Sequence, residues 1–217
     1  DVYKRQVPIE GEETRAIQEL TREWVLEQDI KNFYDQQGIC HVVLPERGHL
    51  SPGMLCVGGD SHSPTGGAFG SYMFGIGATE MAGVLATGEI WIKVPETILI
   101  KWAGQISTFV TAKDMMLATC AKIGMGGGRY QAIQYAGEAI NKLNMQERMT
   151  MSNMAAELGA QAGLISPDET TIEYLKSVNA SIPDNWKNFQ IEKPDPKGEV
   201  INLDASSLSP QIAAPHS

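Results

Sequence analysis

The chain has 217 residues, 42% hydrophobic and 20% charged, and its 26 Asp and Glu outweigh 17 Lys and Arg to give a net charge of −9. These figures exclude wholesale disorder and leave room for one large or two small packed domains. They argue against a nucleic-acid partner, which calls for a basic face. No apolar run approaches the roughly 20 residues of a membrane span, so no membrane partner is expected.

The ends are unusual. The chain does not begin with Met, and residues 1–6 are polar and unlike the segment after them, so they read as a non-native scar. It stops at Ala214-Pro215-His216-Ser217 with no closing element, and it reads as an internal fragment. The three cysteines, Cys40, Cys56 and Cys120, form no CxxC pair and no disulfide framework, which points to a reducing, cytoplasmic setting. Each sits in an apolar run and reads as buried and inert. The ten methionines read as core filler.

Apolar residues at helical spacing predict a helix over Glu12–Gln28. Ile39–Leu44, between Gly38 and Pro45, reads as a buried strand, and Met54–Val57 as a second. The second strand empties into a glycine-flanked loop, Gly58–Gly67. Within the small, apolar stretch Ala68–Gly88, Thr79–Thr87 is expected to be helical and packed close against a neighbour. Trp91–Ile100 has strand character, with Pro95 dividing it into two short strands. Thr111 and Asp114 predict a capping-box start to a helix reaching about Ile123. Gly124–Arg129 is glycine-rich but lacks the spacing of a phosphate loop, so it reads as a tight turn. Tyr135–Gly137 reads as strand or turn, Ser152–Gly163 as a helix, and Ser166–Thr170 as the start of another that runs to about Val178. Asn179–Gly198 is a polar, proline-containing connection, and Val200–Leu203 a last strand.

Strands alternating with helices define an α/β class. The expected organisation is a partial first α/β domain over 7–95, a second over 96–198, and the start of a truncated third over 199–217. Between the first two, a cleft is expected to hold Asp60 and His62.

The loop Gly59-Asp60-Ser61-His62 carries the strongest chemical signal. Its polar side chains come directly after a buried strand, where α/β folds bind ligands, and its glycines permit close backbone approach. The alternative is a plain turn, with Asp60 capping the backbone and His62 exposed. His41 is either a core histidine satisfied by a hydrogen bond or a functional one partnered by Asp60. Asn153 and Glu157, four apart on the expected helix, share a face and point either into a site or to solvent.

Taken together, Gly38–Glu46, Pro52-Gly53-Met54, Gly59-Asp60-Ser61-His62-Ser63, Gly75–Glu80, Lys93–Thr97, Glu147–Glu157 and Leu203–Leu208 resemble the aconitase superfamily, and within it the 3-isopropylmalate dehydratase large subunits. Ser63 stands where that signature usually has Thr. The resemblance covers about residues 7–217. It implies an aconitase-like fold of three-layer α/β/α units with mainly parallel sheets. It also implies an iron–sulfur hydro-lyase that dehydrates and rehydrates a hydroxy di- or tricarboxylic acid, here isopropylmalate isomerisation in leucine biosynthesis.

By position, the resemblance pairs His41 with Asp60 and His62 with Glu157 as catalytic residues. Ser61 would bind a substrate carboxylate, and Asn153 would line the pocket. The family's [4Fe–4S] cluster belongs to the full-length parent. Its cysteines match none of Cys40, Cys56 and Cys120, so this fragment is expected to hold no metal and to be inactive alone. The partner implied is the small, swivelling-domain subunit. Homoaconitase and dimethylmalate dehydratase are alternatives within the superfamily. A metallophosphoesterase-like hydrolase, suggested by Gly-Asp-x-His, and a non-catalytic acidic interaction module are more distant ones.

Overall fold

A computed structural model describes residues 11–190 and 198–214. Residues 1–6, with Pro194 and Pro196 of the expected connection, lie outside that range. The architecture is α/β with two parallel sheets. Helix α1 spans Glu12–Glu27 and buries Val25. Helix α2, Cys40–Glu46, corrects the strand expected at Ile39–Leu44. A short apolar run does not by itself separate strand from buried helix. Here Val43 is buried, Cys40 and Leu44 are half-buried, and Val42 is exposed, which is one helical face. Pro45, with no N–H to continue the ladder, sits one residue before the helix ends.

Strand β1, Leu55–Gly58, pairs in parallel with β2, Tyr72–Gly75. The sequence gives no sign of the second strand, because four residues between glycines carry almost no periodic signal. Between them, Ser63–Phe69 forms a 3₁₀ segment in which every residue is buried. Helix α3, Ala78–Thr87, falls where expected but buries no residue, so the close packing predicted for it is corrected. The two strands expected within Trp91–Ile100 reduce to one, β3, Thr97–Ala103. Pro95 and the conformational limits it sets on Val94 keep the first part irregular, and Trp91 is 85% exposed there.

The second sheet has the order β5-β4-β3-β6, all parallel. Its other strands are β4, Ala132–Ala136; β5, Ala162–Ile165; and β6, Val200–Asp204. The strand expected to open a third domain thus lies beside β3 in this sheet. Helix α4, Ala112–Ile123, begins with the predicted capping box: Thr111 accepts from the Asp114 N–H, and Asp114 accepts from the Thr111 N–H at 2.7 Å. Asp114 also accepts the Gln211 N–H at 2.7 Å, and these bonds hold its carboxyl below the usual range. Helix α5 covers Glu138–Asn141, α6 Met145–Asn153, and α7 Glu169–Ser177.

The helix expected over Ser152–Gly163 is corrected in both directions. A capping box, Asn144 with Glu147, starts α6 seven residues earlier. Turns replace helix over Met154–Gly159, closed by Gly159 at φ +67°, and the remaining residues enter β5. Trp102, Tyr135, Ile133 and the methionines Met115, Met116 and Met151 fill the core between sheet and helices. Arg148, fully buried in α6, makes a two-pronged bond to the Asp168 carboxylate at 2.7 Å to each oxygen. Burial raises the Asp168 carboxyl, but the Arg148 and Thr171 bonds outweigh it and leave it lowered. No helix among the described residues is long and apolar enough to cross a membrane.

Candidate active site

Strand β1 ends at Gly58 and delivers Asp60, Ser61 and His62 in a turn before the buried 3₁₀ segment. Asp60 accepts the His62 N–H at 2.8 Å, and its own carbonyl accepts the Ser63 hydroxyl at 2.7 Å. The turn reading of Asp60 therefore holds, but the carboxylate has a second role. The same Oδ1 lies 3.5 Å from His41 Nδ1 and 3.8 Å from His62 Nδ1. His41 reaches it from α2, not from a strand.

The 3₁₀ segment lies against α6 and β5. A Cβ on Gly67 would run into the Gly163 carbonyl oxygen of β5, so only glycine fits there. The loop's glycines thus serve contact between two protein segments, in addition to any ligand. This contact brings His62 to Glu157: Nε2 lies 3.1 Å from Oε1, across 95 residues of sequence. Glu157 sits in the turns after α6, not on its face, while Asn153 is the helix's last residue. Asn153 Nδ2 donates to Thr65 Oγ1 at 2.9 Å, and Thr65 donates to the His62 carbonyl at 2.6 Å.

Two histidine–carboxylate pairs result, and their environments differ. The inner side chains, His41 and Asp60, are 11% and 9% exposed; the outer ones, His62 and Glu157, 36% and 34%. The two imidazole rings stand 6.0 Å apart. A carboxylate facing one ring nitrogen favours a proton there and leaves the other nitrogen to exchange protons.

His41, Thr65, Lys113, Asn153 and Glu157 line a cleft of about 570 Å³. Ser61 lines a neighbouring one of about 380 Å³, with Asp60, Tyr130 and Gln161. The structure therefore joins all six expected residues through direct contacts or a shared cleft: Ser61, whose hydroxyl lies 3.2 Å from His62 Nδ1, opens on the neighbouring cleft with Asp60. Thr65 and Lys113 are additions. A hydroxyl three residues after His62 is a local signal for Thr65. Lys113 carries none beyond lying in a capping box.

The resemblance implies an iron–sulfur cluster, but the described residues do not fit one. Among them no group of three or more His, Cys, Asp or Glu is placed to hold a metal ion. Cys40, Cys56 and Cys120 lie on α2, β1 and α4 and are half-buried, which corrects the expectation of full burial. Cys40 Sγ stands 3.9 Å from His41 Nδ1. Burial pushes the Cys56 and Cys120 thiols up, away from the thiolate a metal needs, and Glu157 adds to this at Cys120.

The chain matches the model of the aconitase family (aconitate hydratase) over residues 2–217. It is 40% identical over 216 residues to a probable 3-isopropylmalate dehydratase large subunit of Methanothermobacter thermautotrophicus, covering 99% of this chain and 51% of that one. It is 42% identical over 220 residues to 3-isopropylmalate dehydratase large subunit 1 of Methanopyrus kandleri, covering 100% and 51%. A probable methanogen homoaconitase large subunit of Methanosarcina mazei is 43% identical over 213 residues, covering 96% and 53%. The chain spans about half the length of these curated relatives. With a family match running from residue 2 to the last residue, the chain belongs to the aconitase family.

Proposed function

We propose that this chain supplies the proton-handling half of a hydro-lyase that removes and restores water on a hydroxy di- or tricarboxylic acid, isopropylmalate being the leading substrate. The observation that carries the reading is the double histidine–carboxylate arrangement, with His62 on Glu157 at 3.1 Å and His41 on Asp60 at 3.5 Å. We assign the [4Fe–4S] cluster of such an enzyme to cysteines beyond these 217 residues. A small, swivelling-domain subunit is the proposed partner, in keeping with the large-subunit names of the relatives. Free cysteines fit a cytoplasmic enzyme.

In dehydration a base, which we assign to a group beyond these 217 residues, takes a C–H proton, the electron pair left behind forms the C=C bond, and the C–O bond breaks as the hydroxyl takes up a proton and leaves as water; hydration reverses each step. Glu157 facing Nε2 keeps a proton on that side of His62 and leaves Nδ1, 3.2 Å from the Ser61 hydroxyl, to give or take one. Asp60 does the same for His41, whose Nε2 is then the exchanging atom. Asn153, held by Thr65, offers a fixed polar edge to the cleft. The half-exposed outer pair is the one suited to exchange protons with solvent between turnovers.

The test is an anaerobic assay of the full-length protein with its small subunit, tracking interconversion of the two isopropylmalate isomers. Turnover supports the reading, and absence of turnover on any hydroxy di- or tricarboxylate overturns it. A second reading, homoaconitase, rests on the 43% identical relative of that name. The same assay with a tricarboxylic substrate separates the two by the ratio of kcat/KM.

A further inference from the structure

We propose that Lys113 is a substrate-binding residue that receives one carboxylate of the acid in the cleft; this rests on the hydro-lyase reading. Lys113 is the second residue of α4, an exposed side chain reaching the cleft that His41, Asn153 and Glu157 also line. A cation in the first turn faces the positive end of the helix dipole, an unfavourable placement. Its neighbour Asp114 obeys the dipole rule, turning into the capping box. No carboxylate compensates Lys113, which has no hydrogen bond or ion pair among the described residues. Arg148, by contrast, is fully engaged with Asp168.

The wider field makes a local cation necessary. The chain carries a net charge of −9, and Glu46 and Glu157 line the same cleft. A dianionic acid entering there meets two carboxylates. Among the described lining residues Lys113 is the one permanent cation to oppose them. A flexible ammonium suits this role, because it moves with a carboxylate as the acid shifts between its hydroxylated and dehydrated forms. The cleft's volume, about 570 Å³, lies within the range of small-molecule sites.

The test uses full-length enzyme with its small subunit and three non-reacting probes: isopropylsuccinate, which lacks the hydroxyl, and its two monoamides. In the wild type one monoamide is expected to bind at least about ten-fold more weakly than the diacid. Lys113→Met should weaken the diacid by a similar factor, leave that monoamide unchanged, and flatten the salt dependence of diacid binding. Lys113→Arg should recover part of the affinity. The KM for isopropylmalate should rise in Lys113→Met with the diacid Kd. Equal binding by wild type and Lys113→Met, or an equal loss for all three probes, overturns the assignment while the hydro-lyase reading stands. A wild type that neither binds the diacid nor turns over a hydroxy acid overturns both.

Discussion

The two parallel sheets of this chain are packed very differently. The first has two strands, and of the helices before and after it in the chain α1 buries one residue, α2 two and α3 none. The second has four strands, with helices carrying Met115, Met116, Ile140 and Met151 into a continuous core. The candidate site draws His41, Asp60, Ser61 and His62 from the thin side and Asn153 and Glu157 from the dense one. The wholly buried segment Ser63–Phe69 joins them, resting on α6 and β5. The loop is therefore followed by a segment that packs on its own strand β2 and also on α6 and β5, with Phe69 and Met73 sharing a second core with Met145, Ile172 and Leu175.

The largest expected effect falls on activity. In the full-length enzyme, Glu157→Gln or His62→Gln should lower kcat by about 10²–10⁴-fold, the usual contribution of a positioned acid or base. Folding stability should move by under about 1 kcal/mol, because both side chains are a third exposed. Asp60→Asn differs: the carboxylate is nearly buried and also holds the His62 N–H, so activity and stability should fall together. Paired kcat and thermal-melt measurements separate the two behaviours.

Next comes the tie within the dense region. Arg148→Met removes a buried cation and leaves the Asp168 carboxylate without it, so the cost should be about 3–5 kcal/mol by denaturant titration. Trp102, buried in that core, reports it by fluorescence. The Asp168 carboxyl is lowered in the folded state, so its stabilisation is present above its unfolded value near 3.8 and is lost as pH falls through the lower folded value. Arg148→Met should remove that part of the acid sensitivity and keep the part due to Asp114, whose carboxyl is likewise lowered.

Gly67→Ala probes the join itself. Its Cβ meets backbone, not a pliable side chain, so about 1–3 kcal/mol is expected, with loss of kcat as His62 moves from Glu157. A variant that melts earlier yet keeps full kcat would show that the segment does not position His62.

The dense region was also the more legible one. Thr111 with Asp114 marks the start of α4 to the residue, because a capping side chain encodes its own geometry, and the stretch Ser166–Thr170 brackets the start of α7, where the structure shows Asp168 as the cap. The same signal stands at Asn144 and Glu147 and starts α6 well ahead of the helix expected from Ser152. On the thin side, the run from Ile39 to Leu44 was apolar throughout, and nothing local separates helix from strand when no partner strand is known. The site residues were nameable from the Gly-Asp-Ser-His loop and its family resemblance. Their pairing across 95 residues depends on Gly67 meeting Gly163, a contact invisible in sequence. Lys113 carries no signal in sequence, because a lysine in a helix's first turn looks like ordinary solvated surface.

The smallest effect tests the thin side directly. Leu85 of α3 is 58% exposed, so Leu85→Ser should change the stability of this 217-residue chain by under about 0.5 kcal/mol. The same substitution in the full-length protein gives a second reading of the same helix. An unchanged small effect there means that α3 is an outer surface of the whole enzyme and the asymmetry between the sheets is intrinsic. A cost of about 1.5 kcal/mol or more, the scale of burying a leucine, means that another part of the protein covers α3 and the asymmetry belongs to this chain alone. In that case the His41 and Asp60 side of the site also gains its rigidity from outside these residues, and Asp60→Asn should cost more stability in the full-length protein than in the 217-residue chain.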